Sequence, residues 1–103
     1  MEIGTAKAII ADGGGYDNVI RFIFDNAIHV NFIGISDDRL KCKEANFKKL
    51  GDEWVYVETN LFRSKDGMYD VPLEVYHPME CLQAIIMGKE GKRLDIASTN
   101  DML

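Results

Sequence analysis

The sequence predicts an α+β fold: a mostly antiparallel sheet of about five strands packed by two helices, in the order β-α-β-β-β-β-α with an optional last strand. Three observations carry that reading. Short runs of β-branched and aromatic residues alternate with Gly- and Asp-rich turns, two stretches show helical spacing of apolar residues, and the connections after the first unit are of hairpin length. The chain of 103 residues is read as one domain over 1–97, with 98–103 as a flexible tail.

Thr5–Ala11 (TAKAIIA) reads as a short buried strand ending at Asp12-Gly13-Gly14-Gly15. Over 16–27, Asp17, Asn18, Arg21 and Asp25 fall within one arc at 100° per residue. Tyr16, Val19, Ile20, Ile23, Phe24 and Ala27 fill the opposite side, which predicts an amphipathic helix. The competing reading is a strand closed by an Asp25-Asn26 turn, favoured by the β-branched and aromatic content. Ile28–Ser36 reads as a strand, and Leu40-Lys41-Cys42-Lys43 as another with one wet face. A turn at Leu50–Glu53 leads into the strand core Trp54–Val57. Asp66-Gly67 then marks a hairpin that sets Lys65 opposite Met68, Arg63 opposite Asp70, Phe62 opposite Val71 and Glu58 opposite Val75. Pro72 lacks a ladder donor, so the second arm is expected at a free edge or a bulge. His77-Pro78 is read as opening a helix with the stripe Met79, Leu82, Ile85 and Ile86, stopped by Gly88 or Gly91. Leu94–Ala97 is the optional last strand.

Charge excludes some functions. The net charge of -5 and pI of about 4.9 argue against a nucleic-acid binder. Residues 52–80 hold seven acids against Arg63 and Lys65, whereas Lys41, Lys43, Lys48 and Lys49 form the one basic cluster. No apolar run is long enough to cross a membrane, and no leader is read at the N-terminus. Cys42 and Cys81 are too few for a disulfide framework, which suits a reducing cytoplasm.

Several arrangements bear on chemistry. The Asp12–Gly15 segment, read as following a strand and preceding a helix, sits where a phosphate-cradling loop would, but it lacks GxGxxG and carries Asp12 and Asp17. It therefore reads as a tight turn. His77 and Cys81, four apart on the second helix, would need Cys42 or His29 to complete a zinc site, and no CxxC or HExxH supports one. His29 and His77 are the only histidines, and neither stands beside a nucleophile in sequence. No catalytic residue, cofactor or metal is assigned.

The leading expectation is a small acidic, non-catalytic protein that binds a macromolecular partner, a protein rather than a nucleic acid. Inhibitor, immunity or accessory proteins of bacteria and phages have this character. Aromatics at Trp54, Tyr56, Tyr69 and Tyr76 lie along the long hairpin among Glu53, Glu58, Asp70 and Glu74, the mixture that interfaces use. Arg63, Tyr69, Asp70, Glu74 and Tyr76 are the assigned partner-binding residues. Trp54 and Tyr56 share parity, so core or surface should claim both. A second reading is a small-molecule binder or minor enzyme with a pocket between sheet and helices. A third is a subunit that self-associates through a free sheet edge.

Overall fold

The computed structural model describes residues 1–88. One helix, α1 (Ile3–Asp12), precedes six strands: β1 (Val19–Phe24), β2 (Ile28–Asn31), β3 (Phe47–Leu50), β4 (Glu53–Arg63), β5 (Asp70–Pro78) and β6 (Leu82–Met87). They form two three-stranded antiparallel sheets, ordered β2-β1-β6 and β3-β4-β5. This corrects the expected five-strand sheet packed by two helices. The optional strand at 94–97 and the tail at 98–103 lie outside the described residues.

The first correction is that residues 3–12 are helix, not strand. Ala6, Ala8 and Ala11 are strong helix formers, and Ala6 and Ile10, four apart, are both buried against the sheets. The Ile9-Ile10 run alone does not distinguish a strand from a buried helical face. Gly13 closes the helix, its N–H bonding to the Ile9 carbonyl at 2.9 Å, and Gly14 and Gly15 turn the chain with φ of 105° and 106°. The glycine turn thus follows a helix C-terminus, where carbonyls point outward. That polarity repels an anion, so the phosphate-loop alternative loses its structural basis.

The second correction is that 19–24 is strand, the reading first set aside. The polar arc that mimicked a helix came largely from flanking turns. Asp17 and Asn18 belong to a 3-10 turn before β1, and Asp25 opens another after it. Inside the strand Arg21 is the only polar residue, and its guanidinium donates to Asn31 directly across on β2. Phe22 and Phe24 share the inward face and are buried. The β1–β2 connection is a three-residue turn, Asp25–Ala27, where the strand alternative expected Asp25-Asn26, and Asn26 and Ala27 are both at positive φ.

The third correction concerns 77–88. These residues complete β5, turn through Met79–Cys81 and return as β6, which pairs with β1 from Val19↔Met87 to Phe24↔Leu82. Pro78, at φ -60° and ψ 135°, ends β5 in an extended conformation instead of starting a helix. Pairing with β1 places Leu82 in the core and leaves Ile86 partly exposed. His77 and Cys81 therefore share no helix face. Strand β2 also stops at Asn31, and Leu40–Lys43 holds no strand. Asp37 instead caps a 3-10 turn at Asp38–Leu40, and Cys42 enters the core.

Among the described residues, four of the five 3-10 turns feed straight into a strand, at Val19, Ile28, Phe47 and Leu82. All but Ile28 are buried, so the turns deliver the chain to the core. The two sheets meet across an aromatic cluster centred on Phe22. Its ring lies edge-on to Tyr56 at 4.8 Å and to Phe32 at 5.3 Å. Tyr56 is fully buried and Trp54 packs half-buried against the same cluster, so the core takes both.

The β4–β5 hairpin keeps the predicted register, with Glu58↔Val75, Phe62↔Val71 and Arg63↔Asp70. Lys65 and Met68 do not pair as expected, because the turn starts earlier than Asp66-Gly67 alone implies. The Gly67 N–H bonds to the Ser64 carbonyl, and Ser64 and Tyr69 close a four-residue loop.

Candidate functional site

The assigned residues Arg63, Tyr69, Asp70, Glu74 and Tyr76 come together on the outer half of the β4–β5 hairpin, which projects beyond the aromatic core. All seven residues from Asp70 to Tyr76 are exposed, so both faces of β5 meet solvent there. One face carries Arg63, Asp70, Pro72, Glu74 and Tyr76. The other carries Phe62, Val71, Leu73 and Val75, and continues the inward face of Tyr56 and His77 past the point where the second sheet covers it. Phe62 is 61% exposed, Leu73 44% and Val75 39%, an uncovered apolar strip on a folded strand pair. The sequence reading missed this strip as a binding face. Its signal was an alternation of apolar residues carried past the length that a second short sheet can cover.

The hydrogen-bond phase of β5 is fixed at the hairpin end. The Ser64 N–H donates to the Tyr69 carbonyl at 2.9 Å, so Tyr69 faces β4. Alternation then turns Val71, Leu73, Val75 and His77 toward β4, and Asp70, Pro72, Glu74 and Tyr76 toward the free edge. Pro72 thus costs no internal ladder bond and removes one donor from the open edge. The predicted free edge is present, without a register shift between β4 and β5.

Electrostatics divide the two carboxylates. Asp70 lies 3.6 Å from Arg63 and 3.9 Å from Arg39, so two guanidiniums offset its charge. Arg39 is held in place by Asp37, whose carboxyl it keeps below its ordinary range. Glu74 meets only the Tyr76 hydroxyl, which donates at 3.5 Å, and has no ion pair among the described residues. Asp66, at the hairpin tip, accepts from Ser64 and from the Met68 N–H, and both bonds lower its carboxyl's range.

Beside the arm, a cleft of about 400 Å³ opens between β4 and the segment after β2, lined by Phe32, Ile35, Arg39, Tyr56, Glu58 and Phe62 among others. At its edge Glu58 meets buried His77 at 3.0 Å, and the imidazole stacks on Phe24 with ring centres 4.6 Å apart. Deeper in, the Tyr56 hydroxyl accepts from Asn46 at 3.1 Å. Burial pushes the Tyr56 phenol up and the Cys42 thiol up to about 12, so Cys42 is no thiolate nucleophile at neutral pH. A second cleft of about 470 Å³ lies at the opposite end of β4, where Trp54 and Met79 are ringed by Glu2, Asp52, Glu53 and Glu80. Neither cleft lies between a sheet and two helices, as the small-molecule reading required.

The basic cluster is not one patch. Lys43 pairs with Asp38 at 2.9 Å, while Lys48 and Lys49 stand exposed on opposite faces of β3. Among the described residues no group of three or more His, Cys, Asp or Glu side chains is placed to hold a metal ion. No helix among them is long and apolar enough to cross a membrane. No protein-family model matches the chain, and no curated protein or solved structure matches it either.

Proposed function

We propose that this protein is a non-catalytic binding module that holds a protein partner on the outer half of its β4–β5 hairpin. The observation that supports the reading is the combination, on one arm, of an uncovered apolar strip and a free strand edge. Phe62, Leu73 and Val75 supply apolar area, while the outward N–H groups of Asp70, Glu74 and Tyr76 supply main-chain donors. That pairing suits β-augmentation, in which an added strand takes its affinity from backbone bonds and its specificity from flanking side chains. Glu74 has no ion-pair partner among the described residues and lies at the edge, which favours a segment carrying a basic residue.

Site-specific photo-cross-linking in the cell that encodes the protein tests this. A photoreactive phenylalanine analogue at Tyr69 or Leu73 should trap a discrete protein, and the same probe at exposed Asp12 on α1 should not. Glu74→Lys should reduce the arm adduct several-fold while the melting curve stays put. Adducts equally abundant from Asp12, or none from the arm, would refute the assignment.

A further inference from the structure

We infer that the partner of the β5 edge is a second copy of this chain, which offers its β3 edge. The inference rests on the reading that β5 is a binding edge and goes on to name the occupant.

Strands β3 and β5 are the two open ends of one sheet, ordered β3-β4-β5. Both run antiparallel to β4, so they run parallel to each other. A copy moved sideways along the sheet therefore brings its β3 alongside β5 as a parallel neighbour. The contact is heterologous, using different surfaces on the two copies, and extends head to tail.

The hydrogen-bond phases of the two edges match. Leu50 and Glu53 flank a two-residue turn, so Leu50 and Lys48 face β4 while Phe47 and Lys49 face outward. On β5 the outward residues are Pro72, Glu74 and Tyr76. Setting Lys48 of the copy opposite Glu74 lets the Glu74 N–H reach the Phe47 carbonyl and the Glu74 carbonyl receive the Lys49 N–H. The Tyr76 N–H then meets the Lys49 carbonyl, while the Phe47 N–H stays with the Glu44 carbonyl of its own turn. Pro72 is the one outward position on this stretch without a donor, and it falls opposite the residue before β3 begins. No donor is needed there.

The side chains agree with that register. Lys48 and Glu74 occupy the same sheet face, the one away from Tyr56, because Lys48 pairs with Val55 and Glu74 with Thr59. Neither has an ion-pair partner among the described residues. Two residues further along the same face, Leu50 meets Tyr76, and these side chains are 48% and 46% exposed in the single chain. The charges deter like edges, β5 on β5 or β3 on β3, and select the unlike pair.

Sedimentation velocity tests the inference on the full chain. The weight-average sedimentation coefficient should rise with concentration in about 0.1 M salt and rise less in about 1 M salt, where screening is strong. Lys48→Glu/Lys49→Glu should block β3 and leave β5 intact. Glu74→Pro should block β5 and leave β3 intact, because the lost N–H faces outward. Each variant alone should sediment as a monomer, and an equal mixture should form a one-to-one dimer through the one competent pair. If Glu74→Pro lowers the melting temperature, Glu74→Lys takes its place. A wild-type chain that stays monomeric up to about 1 mM overturns the inference. So does wild-type association with no dimer in the mixture, since another surface is then responsible. Arm adducts to a different protein with a monomeric chain would leave the binding-edge reading standing and remove the second copy. Loss of both would remove the reading itself.

Discussion

Replacing Leu73 by proline should destabilise the protein far more than replacing Glu74, its immediate neighbour. The difference follows from the alternation of β5. Leu73 lies opposite Asn60 in a pair whose N–H and C=O groups point at β4, whereas Glu74 points its N–H at solvent. Proline at 73 removes that ladder bond, leaves an Asn60 carbonyl to be rehydrated and presses its ring against β4. A lost bond of about 1 kcal/mol with a stranded acceptor of similar cost gives about 2 kcal/mol. For a domain of this size that is a fall of about 8–16 °C in melting temperature. Proline at 74 adds no such loss and, like native Pro72, fits an extended backbone, so its effect should stay within about 0.5 kcal/mol. Thermal melting by circular dichroism reads the difference, and Leu73→Ala separates the loss of the half-exposed side chain. Amide exchange at Val71 and Val75 shows whether the arm has come loose locally. Equal losses at the two positions, or a larger loss at 74, would refute the assigned phase and with it both the binding edge and the proposed register.

Two further effects follow from the core and its turns. Burial raises the Cys42 thiol from its ordinary 9.0 to about 12, so above pH 9 the unfolded chain releases a proton that the folded chain keeps. Stability should therefore be unaffected by this group below pH 9 and fall by about 1.4 kcal/mol per pH unit above it, toward pH 12. Cys42→Ala should flatten urea-melt stability between pH 9 and 10, and an unchanged slope in that variant would contradict the buried-thiol account. Ala27 holds a φ of 58° beside Asn26, a conformation that costs a side chain about 1–2 kcal/mol. Ala27→Gly should raise stability by about 0.5–1 kcal/mol after the entropy of glycine is counted, and a lower melting temperature would show that the turn is not strained.

The long hairpin was legible because its information is local. Asp-Gly, an Arg63–Asp70 pair and a displaced proline are all read within about ten residues, and they gave the register of β4 and β5 and the free edge. The helix, by contrast, was placed where a strand stands and missed where it forms. In 16–27 the turn residues Asp17, Asn18 and Asp25 imitated a polar helix face, and only the distant pairing of β1 with β6 reveals the strand. In 3–12 the Ile9-Ile10 run resembled a buried strand, although the alanines already favoured helix. The segment after His77 failed for a related reason. A proline followed by an acid fits a helix start, but β6 forms because β1 offers it an open side. Arg63, Tyr69, Asp70, Glu74 and Tyr76 fall on one arm because the hairpin register places them there. The apolar strip beside them depends on where the second sheet ends, and no local pattern records that.

Amide exchange of the wild-type chain at two concentrations tests the central claim most directly. In dilute solution the N–H groups of Glu74 and Tyr76 should exchange rapidly, while Val71, Leu73 and Val75, bonded to β4, stay protected. At high concentration new protection should appear at three amides together: Glu74 and Tyr76 on β5 and Lys49 on β3, since the Phe47 N–H is held by the Glu44 carbonyl at any concentration. Protection that appears at none of the three, or along β5 alone with Lys49 unchanged, would contradict the pairing of these two edges.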